Sequence, residues 1–101
     1  MGDRIGLKVI DKDGWGDCDV VIHSHWMGRD LLRLAQRFMS EMKDDEEFMD
    51  DDAKDPARII ACFMIWIGKN DIENDITIED NEDDCEDNGI FIMNFQDMVI
   101  E

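Results

Sequence analysis

The densest run of chemistry-bearing side chains lies between Asp71 and Asp87. Asp71, Glu73, Asp75, Glu79, Asp80, Glu82, Asp83, Asp84, Glu86 and Asp87 put ten carboxylates into seventeen residues, with no Lys or Arg among them. Carboxylates at this density attract cationic protein surfaces and, more loosely, hold divalent cations. A second run, residues 44–55, carries eight acids and one Lys. Duplex DNA carries a charge about every 1.7 Å, or about every 3.4 Å along one strand. The first run, if extended, spaces its acids about every 5.6 Å. The second, if helical, spaces them about every 2.3 Å. Both densities suit a basic groove built for nucleic acid, so imitation of phosphates is the sharpest reading of these runs. The plainer reading is a solvated acidic surface that maintains solubility.

Other candidate chemistry is weaker. The loop from Asp11 to Asp19 has Gly16 at the sixth position, as a calcium loop requires. Its twelfth position is Ile22 where a bidentate Glu belongs, so the EF-hand reading fails and a hairpin turn is expected. Residues from Asp80 fail the same test, with Cys85 sixth and Phe91 twelfth. His23 and His25 would share a face of a strand and could approach zinc with a thiol, but no second ligand pair has metal-like spacing. A histidine bonded to the start of the following helix is the expected role instead. Ser24 lies between the two histidines, yet neighbours on a strand point oppositely, so no base faces it. With 27 acids some carboxylate pair is inevitable, which makes a glycosidase reading uninformative. No glycine-rich phosphate loop is present. The expectation is a protein without catalytic residues, metal or cofactor.

Charge distribution sharpens this. Residues 1–43 hold seven acids and seven bases, whereas residues 44–101 hold twenty acids and three bases, so the whole imbalance of −17 lies in the second part. Adaptation to salt would spread acid over the entire surface; polarised acid points to a face. Arg29, Arg33 and Arg37 lie four apart along one side of a helix. In so acidic a chain they are expected to pair with its own acids rather than with nucleic acid. The three cysteines, Cys18, Cys62 and Cys85, have no paired spacing and read as reduced thiols. The opening residues lack a secretory signal, and no apolar run reaches the 18 or more residues of a membrane span. A cytoplasmic location is the expectation.

The elements that must position these residues follow from periodicity. Ile5, Leu7 and Val9 alternate, and the run that follows from Asp19 is rich in β-branched residues, which together predict two strands in an antiparallel hairpin. Leu31, Leu34, Ala35, Phe38 and Met42 fall on one face of a helix, with Asp30 placed to cap it. Asp55 and Pro56 open a second helix, whose unbroken apolar run from Ile59 to Ile67 predicts burial on every side, in the core or between two copies of the chain. Gly68 is placed to end it in the left-handed conformation. Asp75–Asp80 alternates with Ile76 and Ile78 inward; Gly89–Phe95 alternates too, and Met98–Glu101 can add a short last strand. The whole is expected as one α+β domain over residues 1–101, in the order ββααββ, with two helices and an antiparallel sheet of about four strands.

The stretches "VVIHSHWMG", "DPARIIACFMIWI" and "DNGIFIMNF" resemble small phage and bacterial proteins in which a strand ends in a Ser-His-Trp-Gly-like step into a helix. The resemblance covers about two thirds of the chain. It implies a mobile-element context and shared architecture, and it transfers no functional residue. Acidic proteins of such elements include inhibitors of restriction and CRISPR enzymes, an analogy of charge and context. The expected function is a non-enzymatic acidic module that presents the ten residues from Asp71 to Asp87 to a basic surface, such as that of a nucleic-acid-binding protein. Direct contact with nucleic acid or membrane is not expected. The alternative is loose calcium binding at the same cluster.

Overall fold

Ile5, Leu7 and Val9 are buried in a row, which makes one face of β1 (Ile5–Ile10) the floor of the core. β2 (Val21–Ser24) pairs with it antiparallel, Leu7 opposite Ile22, so the expected hairpin forms. The computed structural model describes residues 2–16, 20–80 and 87–101. After β2 come α1 (Asp30–Met42), α2 (Glu46–Asp50), a 3₁₀ turn (Asp52–Lys54), α3 (Pro56–Lys69), β3 (Thr77–Glu79), β4 (Ile90–Asn94) and β5 (Val99–Ile100).

The class is α+β, but the sheet corrects the expected one in two ways. Among the described residues it has five strands in the order β3-β2-β1-β4-β5, and it is mixed. β4 runs parallel to β1, from Gly6 opposite Ile90 to Ile10 opposite Asn94. The chain therefore returns to the far side of β1 instead of pairing β4 with β3. β1 becomes a central strand, satisfied on both edges, while β3 is an edge strand whose one ladder partner among the described residues is β2. Hence Ile78, opposite the buried Ile22, stays 44% exposed, against the expectation that it points inward; Ile76 does pack against the core.

The described residues form three α-helices rather than two. The acidic run does not continue α1. Asp45 takes an extended conformation and its carboxylate accepts the Phe48 amide at 3.0 Å, starting α2 afresh. Asp55 does the same for α3 through the Ala57 amide, with Pro56 behind it as expected. At α1 the expected cap is absent: Asp30 lies inside the first turn and pairs with Arg33. The entry is made by Gly28, which holds φ +55° and whose amide bonds the Asp3 carbonyl at 2.8 Å. A β-carbon at Gly28 would run into the Asp3 carboxylate. At the other end, α3 continues through Gly68, and the left-handed residue is Asp71 at φ +55°. The Ile72 amide reaches back to the Ile67 carbonyl and the Asp71 amide to that of Gly68, a Schellman closure.

All three helices lie on the face of the sheet that bears Leu7, Ile22 and Met93. Phe38 is fully buried at the centre, its ring 5.1–6.1 Å from those of Phe48, Phe63, Trp66 and Phe95. α3 is the expected core element, but it is not buried all round: Ile65 is 67% exposed and Ala61 also faces outward. Among the described residues no helix is long and apolar enough to cross a membrane.

Candidate functional site: two acidic poles

Of the ten acids expected to form one face, Glu82, Asp83, Asp84 and Glu86 lie outside the described residues. The other six divide by role. Asp75 turns inward. Its carboxylate accepts the Ser24 hydroxyl at 2.5 Å and the amides of His25 and Trp26 at 3.0 and 2.9 Å. Partial burial pushes its pKa up, but these donors outweigh that and hold the carboxyl below the usual range. Asp87 accepts from the backbone amide and the guanidinium of Arg4, which also lowers its pKa. Glu79 accepts the Thr77 hydroxyl at 3.0 Å. Asp71 closes α3 with its backbone and leaves its side chain exposed, and Glu73 and Asp80 are exposed as well. Among the described residues of this segment, only Thr77–Glu79 is strand.

Residues 44–55 are better built as a surface. Phe48 and Ala53 are buried and anchor α2 and the 3₁₀ turn, while Asp44, Glu46, Glu47, Asp50 and Asp51 are exposed on the same short stretch. The frame is tied down further where the Lys12 amide meets the Ala53 carbonyl at 2.7 Å and the Lys12 ammonium meets the Met49 carbonyl at 3.3 Å. Asp52 is drawn inward, to the Arg58 guanidinium at 3.0 Å and the Cys62 thiol at 3.8 Å. Burial, then the Asp52 charge, pushes the Cys62 thiol up.

The two acidic segments sit at opposite ends of β1. Lys12, just past its C-terminal end, bonds to the 3₁₀ turn; Arg4, just before its start, and Ser24, opposite Ile5, bond to Asp87 and Asp75. The described acids of the two runs thus lie at two poles.

The remaining candidates find structural roles. Asp11 is buried and its carboxylate accepts the amides of Asp13 and Trp15, shaping the β1–β2 loop. His23 is buried with Nδ1 3.5 Å from the Thr77 hydroxyl, while His25 lies past the end of β2 and is exposed, so the two do not share a face. The turn into α1 is held by Ser24, not by a histidine: its hydroxyl oxygen accepts the Met27 amide at 3.0 Å. Among the described residues no three His, Cys, Asp or Glu side chains gather as metal ligands do. The arginine row divides: Arg33 pairs with Asp30, but Arg29 lies over the Phe91 ring at 5.5 Å and Arg37 over Trp66 at 5.3 Å. Sequence reasoning gave no role to Trp26, which is 62% exposed beside the second pole. A shallow, open depression of about 370 Å³ there is lined by Trp26, Met27, Asp30, Glu73, Asn74 and Asp75. A larger one of about 490 Å³, between α1 and β5, includes Lys43 and no acid in its lining. No family model matches the chain, and no curated protein or solved structure matches it significantly.

Proposed function

We propose that the protein is a non-enzymatic acidic interaction module that docks on a basic protein surface built for nucleic acid. The observation that carries this is the pole at residues 44–55. A floppy solubilising tail would have no buried anchors, whereas here Phe48 and Ala53 pin to the core seven exposed acids, two of them, Asp45 and Asp55, capping helices. Rigid charge matters because a partner then need not order the segment on binding. The second pole, with Asp71 and Glu73 exposed around the Asp75 anchor, extends the acidic surface to the other end of β1.

Net charge of −17 steers such a module towards cations and away from DNA and RNA. The resemblance to phage and bacterial proteins fits an inhibitor of a restriction-type or CRISPR-type enzyme. Calorimetry distinguishes this from loose calcium binding. Titration of a purified basic DNA-binding domain should give saturable heat that weakens steeply with salt. A micromolar calcium site of defined stoichiometry, with no heat from the basic domain, would sink the proposal.

A further inference from the structure

We propose that the concavity beside Trp26 is an arginine receptor, taking one guanidinium side chain of the basic partner. The inference rests on the reading of the acidic surface above and names the chemistry of its second pole.

Three observations combine. The Trp26 residue is 62% exposed, and among the described residues no cation lies over its ring; its one ring contact there is with His25, the two inclined at 65° with centroids 4.7 Å apart. The ring stands on a fixed base, because the Trp26 amide is held by Asp75, which is itself tied to the fully buried Ser24. The same depression carries Glu73, whose exposed carboxylate has no internal partner among the described residues, and Asp30, which is exposed and already shared with Arg33. An exposed indole with an unengaged carboxylate in one concavity suits a cation with a flat face and a fork of donors. Guanidinium has both; an ammonium has neither.

The fold uses the same pairing internally. Arg37 lies over the Trp66 ring while Glu41 accepts the Trp66 indole N–H at 3.0 Å, so arginine, tryptophan and glutamate already form one unit here. Trp26 and Glu73 supply two of those three parts on the surface, and the partner brings the third. Within residues 44–55 of the other pole the one ring, Phe48, is buried; the exposed Trp15 of the neighbouring loop has no exposed carboxylate paired with it in a lined depression among the described residues.

The test uses the whole chain with hexa-arginine and hexa-lysine peptides, following the indole N–H resonances by NMR. Hexa-arginine should bind roughly fivefold tighter than hexa-lysine, the ratio expected of one stacked guanidinium. It should also shift the Trp26 indole signal. Trp26→Leu should bring the two peptides to equal affinity, and Glu73→Gln should weaken hexa-arginine more than hexa-lysine. The exposed position of both side chains leaves the fold intact, which thermal melting checks. Equal, salt-sensitive binding of both peptides to the wild type, or an arginine preference that survives Trp26→Leu, would overturn the receptor and leave the acidic module standing. Failure of both peptides to bind would overturn the two together.

Discussion

The Ser24 hydroxyl donates to the Asp75 carboxylate at 2.5 Å across 51 residues of sequence. Through this contact the turn between β2 and α1 is joined to the segment before β3, and the two ends of the helical layer are tied to one side of the sheet. Asp75 also holds two backbone amides of that turn. An acid counted as a binding group is thus a structural clamp, and it sets the position of Trp26.

Removing the clamp leaves three donors without their acceptor. Asp75→Ala should cost about 1–3 kcal/mol, since hydrogen bonds to a charged group contribute at the upper end of their range but water reaches part of this site. The folded carboxyl titrates below its ordinary value, so its contribution is complete above the usual carboxylate range. It is lost as pH falls through the lower, folded value. Denaturant melts at neutral and acidic pH should therefore converge for wild type and Asp75→Asn at the acidic end. A constant gap down to strong acid would count against the clamp.

The left-handed conformation of Asp71 is strained for any residue with a β-carbon. Asp71→Gly should raise stability by about 0.5–1 kcal/mol, the reverse of the usual glycine penalty, and it also removes one negative charge. Gly28→Ala should do the opposite, because both its φ and the Asp3 carboxylate oppose a side chain. Urea denaturation of the two variants gives the signs; a stabilising Gly28→Ala would refute the described entry to α1.

Phe38 touches four aromatic rings and is fully buried. Phe38→Ala should cost about 3–5 kcal/mol, much of the stability of a small domain. Loss of tertiary packing should show in the near-ultraviolet circular dichroism, to which Trp66 contributes. An unchanged melting temperature would mean that the ring cluster is not the centre of the core.

How much of this could be read from residues alone depends on how local the cause was. The β1–β2 hairpin, α1 and the start of α3 were legible because alternation, a 3.6-residue period, and Asp55-Pro56 act within a few residues. The parallel pairing of β1 with β4 was not, since it depends on which edge of β1 is open, a property of the whole sheet. The five-strand count follows from β5, whose two residues pair at Met93 and Asn94. The acids misled most: charge density says nothing of which carboxylates a fold turns inward, and Asp75, Asp87 and Asp52 all find internal donors. Trp26 carried one legible signal, a large ring in a turn two residues before a glycine.

Two acidic poles on a small molecule repel themselves, and the Debye length is only about 10 Å at 0.1 M salt. Added salt near neutral pH should therefore raise the melting temperature. A midpoint that stays level from low to moderate salt would show that the poles carry no repulsive load.

The central claim is that pinned carboxylates compete with nucleic acid for a cationic groove. The most direct measurement is fluorescence anisotropy of a labelled duplex bound to a basic DNA-binding protein, followed as this protein is added. The account predicts that the duplex is released at low salt, that release fades as salt rises, and that Glu46→Gln, Glu47→Gln, Asp50→Asn and Asp51→Asn together weaken it. Full release by the neutralised variant, or none by the wild type across a panel of such proteins at low salt, would contradict it.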